Sequence, residues 1–196
     1  METKELGRFQ LGAASWMRVT DPCYSQDTWC SGQFEALPGE WAASVLVSDE
    51  GSWGKRVACL EVRHLGHGGP VGAWHELDID VGVDSGQCGF FDQARYPEGS
   101  TGEYGDLSTF YGKACAQTHD EADRDKLAGL VDDMGAVSSS GFGDGSYRCE
   151  VQRDEESGLV VAARVWFIRE EDDEDEDEDE EEQDKDEEEQ DDAADA

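Results

Sequence analysis

The sequence predicts a mainly β domain, a β-sandwich or partly open barrel with one short helix, followed by a polyacidic tail. Three observations lead to this prediction. Segments of alternating apolar and polar residues recur along residues 1–169, acidic glycine-containing turns separate them, and residues 170–196 are almost wholly acidic. We therefore predict a single β-rich globular domain over residues 1–169, with an α+β arrangement as the alternative.

Two β-hairpins are predicted where alternating segments flank turn residues. The first pairs residues 41–47 with residues 56–63. The second pairs residues 147–151 with residues 159–168. In each case the connecting segment is acidic and contains glycine, which is typical of a tight turn.

The two hairpins resemble each other, and so do the segments that precede them. Each hairpin opens with glycine, one further residue and an aromatic residue. Upstream of each hairpin an apolar strand ends in Asp21 or Asp92, and a tyrosine follows. An internal duplication, with halves at about 8–75 and 76–169, would explain these pairs. The alternative is that β-hairpins resemble one another because turn chemistry is limited.

One segment favours a helix. Residues 119–133 begin with acidic residues and place Leu127, Leu130 and Val131 at helical spacing, and acidic residues are favourable at a helix N-terminus. The stretch 97–112 contains four glycines and many small polar residues, so we predict a loop there.

The tail carries most of the negative charge. Residues 170–196 hold 21 acidic residues and one lysine, a net charge of −20, while the whole chain carries −34. A block of like charge without apolar periodicity cannot bury enough surface to offset the entropy of ordering, so we expect the tail to be disordered.

The body is acidic as well, with 28 acidic and 14 basic residues. Direct nucleic-acid binding is disfavoured, because it depends on cations that release counterions from the phosphates. A basic protein or a divalent cation is the better electrostatic partner. The sequence has no apolar run of 18 residues and no secretory signal in residues 1–17, so we predict a cytoplasmic protein without a membrane partner.

Cysteine and tryptophan are expected to serve mainly in packing. The six cysteines should stay reduced and act as small buried hydrophobes. Cys59, His64 and His67 could supply three zinc ligands if a fourth residue folded against them, but their spacing is not that of common zinc sites. We therefore predict no metal site. The six tryptophans are predicted to lie in the core or at its edge: Trp16, Trp29, Trp41, Trp53, Trp74 and Trp166.

Two glycine-containing loops, residues 83–92 and 138–147, supply the candidate site. Their glycines allow close approach of a ligand, and their aspartates and serines offer hydrogen-bonding groups. Together with strand-end aspartates they could bind a small ligand or a divalent cation, or supply an acid and a base. Each aspartate could equally cap a turn, and residues 138–147 could simply be the turn into the last hairpin. The candidate ligand-binding residues are Asp21, Asp84, Ser85, Asp92, Ser140, Gly143, Asp144 and Tyr147.

The sequence contains no established catalytic signature. Ser85 is not in a Gly-x-Ser-x-Gly elbow, and neither a phosphate-binding loop nor an EF-hand is present. The sequence therefore identifies no catalytic residue and no cofactor. It favours a non-catalytic binding or interaction module with an acidic surface. The alternatives are a small-ligand or divalent-metal binding domain that uses the Asp/Gly loops, and a hydrolase with an aspartate cluster.

Several short strings resemble a bacterial and phage family of uncharacterised proteins, the domain-of-unknown-function family 4241. They lie at residues 20–24, 27–30, 83–87 and 138–147, and the resemblance extends over about 12–168 without the tail. It implies a β-rich fold and a bacterial or phage cytoplasm. It implies no activity, so no catalytic residue is carried over.

Overall fold

The computed structural model describes residues 1–119 and 126–169. These residues form two antiparallel β-sheets and one α-helix, which confirms the predicted mainly β class. The sheets pack face to face as a sandwich and do not close into a barrel. The predicted disordered tail, residues 170–196, lies outside the described residues.

Eleven strands and one helix follow one another along the described residues. Their bounds are β1 Glu2–Leu11, β2 Trp16–Thr20, β3 Gly32–Glu35, β4 Gly39–Asp49, β5 Lys55–His64, β6 His75–Val83, β7 Gln87–Asp92, α1 Phe110–Thr118, β8 Ala128–Leu130, β9 Gly135–Ser139, β10 Gly145–Arg153 and β11 Val160–Trp166.

Both predicted hairpins are present. Strands β4 and β5 pair in antiparallel register, with a bulge after Leu46, and a single 3-10 turn at Gly51–Trp53 follows β4. Strands β10 and β11 pair in the same way, with Val151 opposite Ala163. Apolar/polar alternation predicts β4, β5 and β10, and the long apolar run 159–168 predicts β11.

The order of strands in the larger sheet is symmetric about its centre, whereas that of the smaller sheet is only partly so. The larger sheet has the order β1-β4-β5-β11-β10-β6, so the two hairpins meet at β5 and β11. The smaller sheet has the order β3-β2-β7-β9-β8, in which β2 pairs with β7, one strand lies beyond β2 and two lie beyond β7. These central strands are the two that lead to Asp21 and Asp92. The internal duplication stays a prediction, and the symmetric strand order of the larger sheet supports it.

The main core lies between the two sheets. Its largest fully buried side chains include Phe9, Met17, Trp41, Leu60 and Phe90, which come from both sheets. Burial of each such side chain contributes about 1.5–3 kcal/mol.

A second, smaller apolar cluster lies against α1. Because side chains alternate along a strand, Phe91 points away from the main core, where Tyr96 and Phe110 cover it. Strand β7 is consequently buried on both faces.

The predicted helix is wrong over its described part. Of residues 119–133, residues 120–125 lie outside the described residues, and Ala128–Leu130 forms strand β8 against β9. The helix is instead Phe110–Thr118, which begins inside the predicted loop 97–112. Pairing with β9 overrides the helical spacing of the apolar residues in the predicted segment.

Local contacts explain why the helix begins where it does. The backbone N–H of Gly112 donates to Thr109 Oγ1 at 3.1 Å, which is an N-cap. A Cβ at Gly112 would lie 2.0 Å from the carbonyl oxygen of Asp106. Glycine is therefore required inside this short helix, although it lowers helix propensity.

The tryptophan prediction is correct for Trp41, which is fully buried, and wrong for three others. Trp16, Trp29 and Trp53 are 38%, 88% and 68% exposed.

All six cysteines are free thiols; five are buried and Cys23 is half-buried. Within the described residues, no helix has the length and apolar character that a membrane span requires.

Candidate functional site

Asp21 is a buried anchor for the loop that precedes β7. It directly follows β2, and its side chain is fully buried. The backbone N–H groups of Asp84 and Ser85 donate to its Oδ2 at 2.9 and 2.7 Å. Ser85 Oγ and the Cys23 backbone N–H donate to its Oδ1 at 2.6 and 2.8 Å. The carboxylate is thus occupied by four donors, and its role is to hold Asp84 and Ser85 in place.

Asp92 has the same role at the end of β7. It is almost fully buried, and the backbone N–H groups of Gly12 and Ala94 each donate to it at 2.9 Å. Arg95 Nε donates to its Oδ2 at 3.2 Å. Asp92 therefore fixes the loop between β1 and β2.

The two aspartates lie at opposite ends of the central strand pair. Asp92 is opposite Met17, whereas Thr20, just before Asp21, is opposite Gly89. Four residues of strand separate these positions, about 13 Å at the usual rise. The structure therefore does not bring Asp92 together with the other predicted site residues.

The loop between β9 and β10 is shaped by three of the predicted site residues. Ser140 Oγ and Tyr147 OH donate to the carbonyl oxygen of Gly143 at 2.8 and 2.7 Å. Gly143 has a φ of +122°, a conformation that favours glycine. Burial raises the pKa of Tyr147, so its phenol remains a donor at neutral pH. These residues form the turn into β10, and their polar groups are used within it.

Asp84 and Asp144, from the two predicted loops, do meet. The backbone N–H of Gly86 donates to Asp144 Oδ1 at 3.0 Å, which joins one loop to the other. Both aspartates line an open groove of about 600 Å³, which we call the acidic groove. Its walls include three carboxylates and two aromatic side chains: Tyr24, Trp29, Asp80, Asp84 and Asp144.

The carboxylates of the acidic groove differ in what neutralises them. Asp80 lies 3.3 Å from Arg148 Nη1 and is paired with it. Asp84 and Asp144 form no ion pair with any side chain in the part of the chain that the structure describes. Burial, and then the neighbouring Asp84, raise the pKa of Tyr24, so this wall residue is a neutral phenol.

Three residues of the groove are not among the candidates named from the sequence: Tyr24 and Trp29 lie in the connection between β2 and β3, and Asp80 lies in β6. For Asp80 a signal exists, because strand β6 alternates acidic and apolar residues and Asp80 lies on its exposed side. Trp29 follows a short polar stretch outside any alternating segment. No strand face is therefore available there to bury its side chain. For Tyr24 the sequence signal is its place in the repeated pattern, a few residues after Asp21.

The described residues contain no group of three or more His, Cys, Asp or Glu side chains that could hold a metal ion. The residues considered for zinc are engaged elsewhere. His64 packs edge-on against Trp41 at 5.6 Å between ring centroids, and His67 Nε2 lies 2.9 Å from Asp154 Oδ1. Cys59 is a buried thiol whose pKa burial raises to about 12.

A scan of protein-family models and searches of curated proteins and of solved structures find no match for this chain. The resemblance to family 4241 stays a prediction. The geometry of the acidic groove is therefore the basis on which a function can be proposed.

Proposed function

We propose that this protein is a non-catalytic binding module whose acidic groove receives a cationic side chain of a basic protein or peptide. The observation that supports the proposal is the convergence of Asp84, Asp144 and the exposed indole of Trp29 on one open groove. The two carboxylates lack a cationic partner within the described chain, and the rigid loops that carry them are tied down by Asp21 and Gly86.

A lysine or arginine side chain suits this groove for two reasons. Its charge would pair with Asp84 and Asp144, and exposed pairs of this kind contribute roughly 0.2–1 kcal/mol each. Its cationic group could also lie over the face of Trp29, which contributes about 0.5–1 kcal/mol at an exposed site. Such modest contributions predict a recognition site of moderate affinity rather than a catalytic centre.

The acidic tail would act on the rate of association. Residues 170–196 carry a net charge of −20, and a field of this sign attracts a basic partner from a distance while salt screens it. The groove would then determine how long the partner stays. We place this activity in the cytoplasm, in keeping with the six free cysteines.

The groove is tested with a fluorescein-labelled decalysine peptide and its fully acetylated form in a fluorescence-anisotropy titration. We expect Asp84→Asn/Asp144→Asn to weaken decalysine binding about 2- to 30-fold, from two ion pairs of roughly 0.2–1 kcal/mol each. Asp78→Asn/Glu98→Gln removes the same charge from exposed positions outside the groove and should have less than a twofold effect. Equal losses in both double variants would mean diffuse attraction and would contradict the proposal.

The indole is tested by Trp29→Ala, with Trp53→Ala as the matched control because both tryptophans are exposed. We expect about a two- to fivefold loss for Trp29→Ala and no loss for the control.

The role of the tail is tested by removing residues 170–196 and varying salt in stopped-flow experiments. The association rate should fall and lose much of its salt dependence, while the dissociation rate stays within about twofold.

A further inference from the structure

A second cavity lies on the other side of the Asp84–Ser85–Gly86 loop from the acidic groove. It is open to solvent, has a volume of about 330 Å³, and lies between α1 and the adjoining ends of β7 and β9. We call it the polar cavity, and its lining includes Gln87, Tyr104, Tyr111, Cys115, His119 and Ser139. Its size is at the lower end of small-molecule sites.

Two of these lining residues carry buried polar atoms without a partner. Gln87 is only 6% exposed, and its Nε2 lies 3.4 Å from Cys115 Sγ. The Oε1 of Gln87 and the Oγ of Ser139 have no hydrogen-bond partner among the described residues. Buried polar groups in folded proteins are almost always paired, because leaving one unpaired is costly. Both residues line the polar cavity, so rotation of either side chain toward it would let a ligand supply the missing partner.

The walls of the polar cavity indicate what kind of ligand would fit. Tyr104 is 66% exposed, and its ring lies 6.4 Å from that of His119, so aromatic surface is available at the opening. Burial raises the pKa of Tyr111 to about 12, so its phenol is neutral at physiological pH. Among the described lining residues there is no aspartate, glutamate, lysine or arginine. The cavity thus matches a neutral ligand with a flat ring and several hydrogen-bonding groups.

We propose that the polar cavity binds a neutral nucleobase, either free or as a nucleoside. The hydrogen-bonding edge of a base presents neighbouring donors and acceptors, which the amide of Gln87 and the hydroxyl of Ser139 can pair with. The ring of the base would stack on Tyr104, an interaction that every base can make. A phosphorylated form is disfavoured, because the body carries 28 acidic against 14 basic residues.

The ligand class is tested by isothermal titration of the full chain with adenine, uracil, adenosine and uridine, each at up to 1 mM. Comparison of the free bases with the nucleosides shows whether the cavity takes the base alone or the base with its ribose. We expect at least one of the four to bind and to raise the unfolding temperature by mass action. The corresponding 5′-monophosphate should bind more weakly, and glucose, which is neutral but not planar, should not bind. Absence of binding by all four compounds, or equal binding of glucose, would overturn the proposal.

The location is tested with two variants and one control. Tyr104→Ala should weaken binding about 5- to 150-fold, the range for loss of one base-stacking contact. Leu107→Ala changes a residue of similar exposure in the same loop, outside the cavity, and should leave binding unchanged. Gln87→Met should weaken binding about tenfold.

The Gln87→Met variant also separates a ligand-binding role from a structural one. Because it removes an oxygen without a partner and only one long N–H···S contact, to Cys115, the unliganded variant should unfold at the same temperature as the parent chain or higher. If Tyr104→Ala and Gln87→Met both bind as tightly as the parent chain, the base does not occupy this cavity. None of these variants touches the acidic groove, so decalysine binding should be unchanged in all of them.

Discussion

Replacement of Asp21 by asparagine tests the role assigned to this residue as a buried anchor. The carboxylate accepts four hydrogen bonds, two at each oxygen. An asparagine side chain keeps the shape but has only one oxygen. If that oxygen faces the backbone N–H groups of Asp84 and Ser85, the amide nitrogen faces the N–H of Cys23, and that buried donor loses its acceptor.

The expected loss of stability follows from these contacts. An orphaned buried donor costs about 1–3 kcal/mol, and the remaining bonds become weaker because their acceptor is no longer charged. We expect Asp21→Asn to lower the free energy of unfolding by about 3 kcal/mol. For a domain of this size that corresponds to a fall of roughly 6–12 °C in the unfolding temperature.

The measurement is urea unfolding followed by tryptophan fluorescence, with linear extrapolation to water. Asp92→Asn, at the corresponding position of the second predicted half, should lose a similar amount, whereas the exposed Asp78→Asn should change stability by less than about 0.5 kcal/mol. A loss below about 1 kcal/mol in a folded Asp21→Asn protein would refute the anchoring role.

Three further predictions concern other parts of the fold. Gly89→Ala should destabilise the protein by about 1–3 kcal/mol in the same assay, because the added Cβ would lie 2.6 Å from the backbone oxygen of Ala136; an unchanged unfolding midpoint would contradict this. Hydrogen bonds from Ser157 lower the pKa of Asp154 below its ordinary 3.8. They therefore stabilise this turn above pH 3.8, and the stabilisation is lost as the pH falls through the lowered pKa. An NMR titration midpoint at or above 3.8 would disprove this prediction. Burial raises the pKa of Cys23 to about 12, so alkylation by iodoacetamide at pH 8 should be about a thousandfold slower than in the unfolded chain, as followed by mass spectrometry.

The parts of the fold that could be predicted are those in which local pattern and final environment agree. Strands β4 and β10 alternate because one face of each meets the core, β5 and β11 are largely buried, and the turns have matching chemistry. The segment around Leu130 has apolar residues at helical spacing, yet it pairs with β9. Its partner begins only a few residues further along the chain, at Gly135, and it is this pairing rather than the spacing within the segment that decides the structure.

The candidate site was predicted in part for a similar reason. Asp84, Ser85 and Asp144 come together because the loops before β7 and β10 lie at one end of the sandwich. Asp92 resembles Asp21 in local sequence, but antiparallel pairing of β2 and β7 puts the two residues at opposite ends. Asp80 belongs to the site through the face of a strand at the sheet edge, which depends on strand order rather than on any motif.

The reciprocal anchoring by Asp21 and Asp92 has a consequence for how such a fold could arise. Asp21 holds a loop of the second predicted half, and Asp92 holds a loop of the first. Contacts exchanged in this way across a twofold axis are those of an isologous interface between identical subunits. Under the predicted duplication, two copies of an ancestral half would have met through the same exchange as a homodimer. Fusion into one chain would then have freed the assembly from its dependence on protein concentration, and each loop could diverge without altering its counterpart.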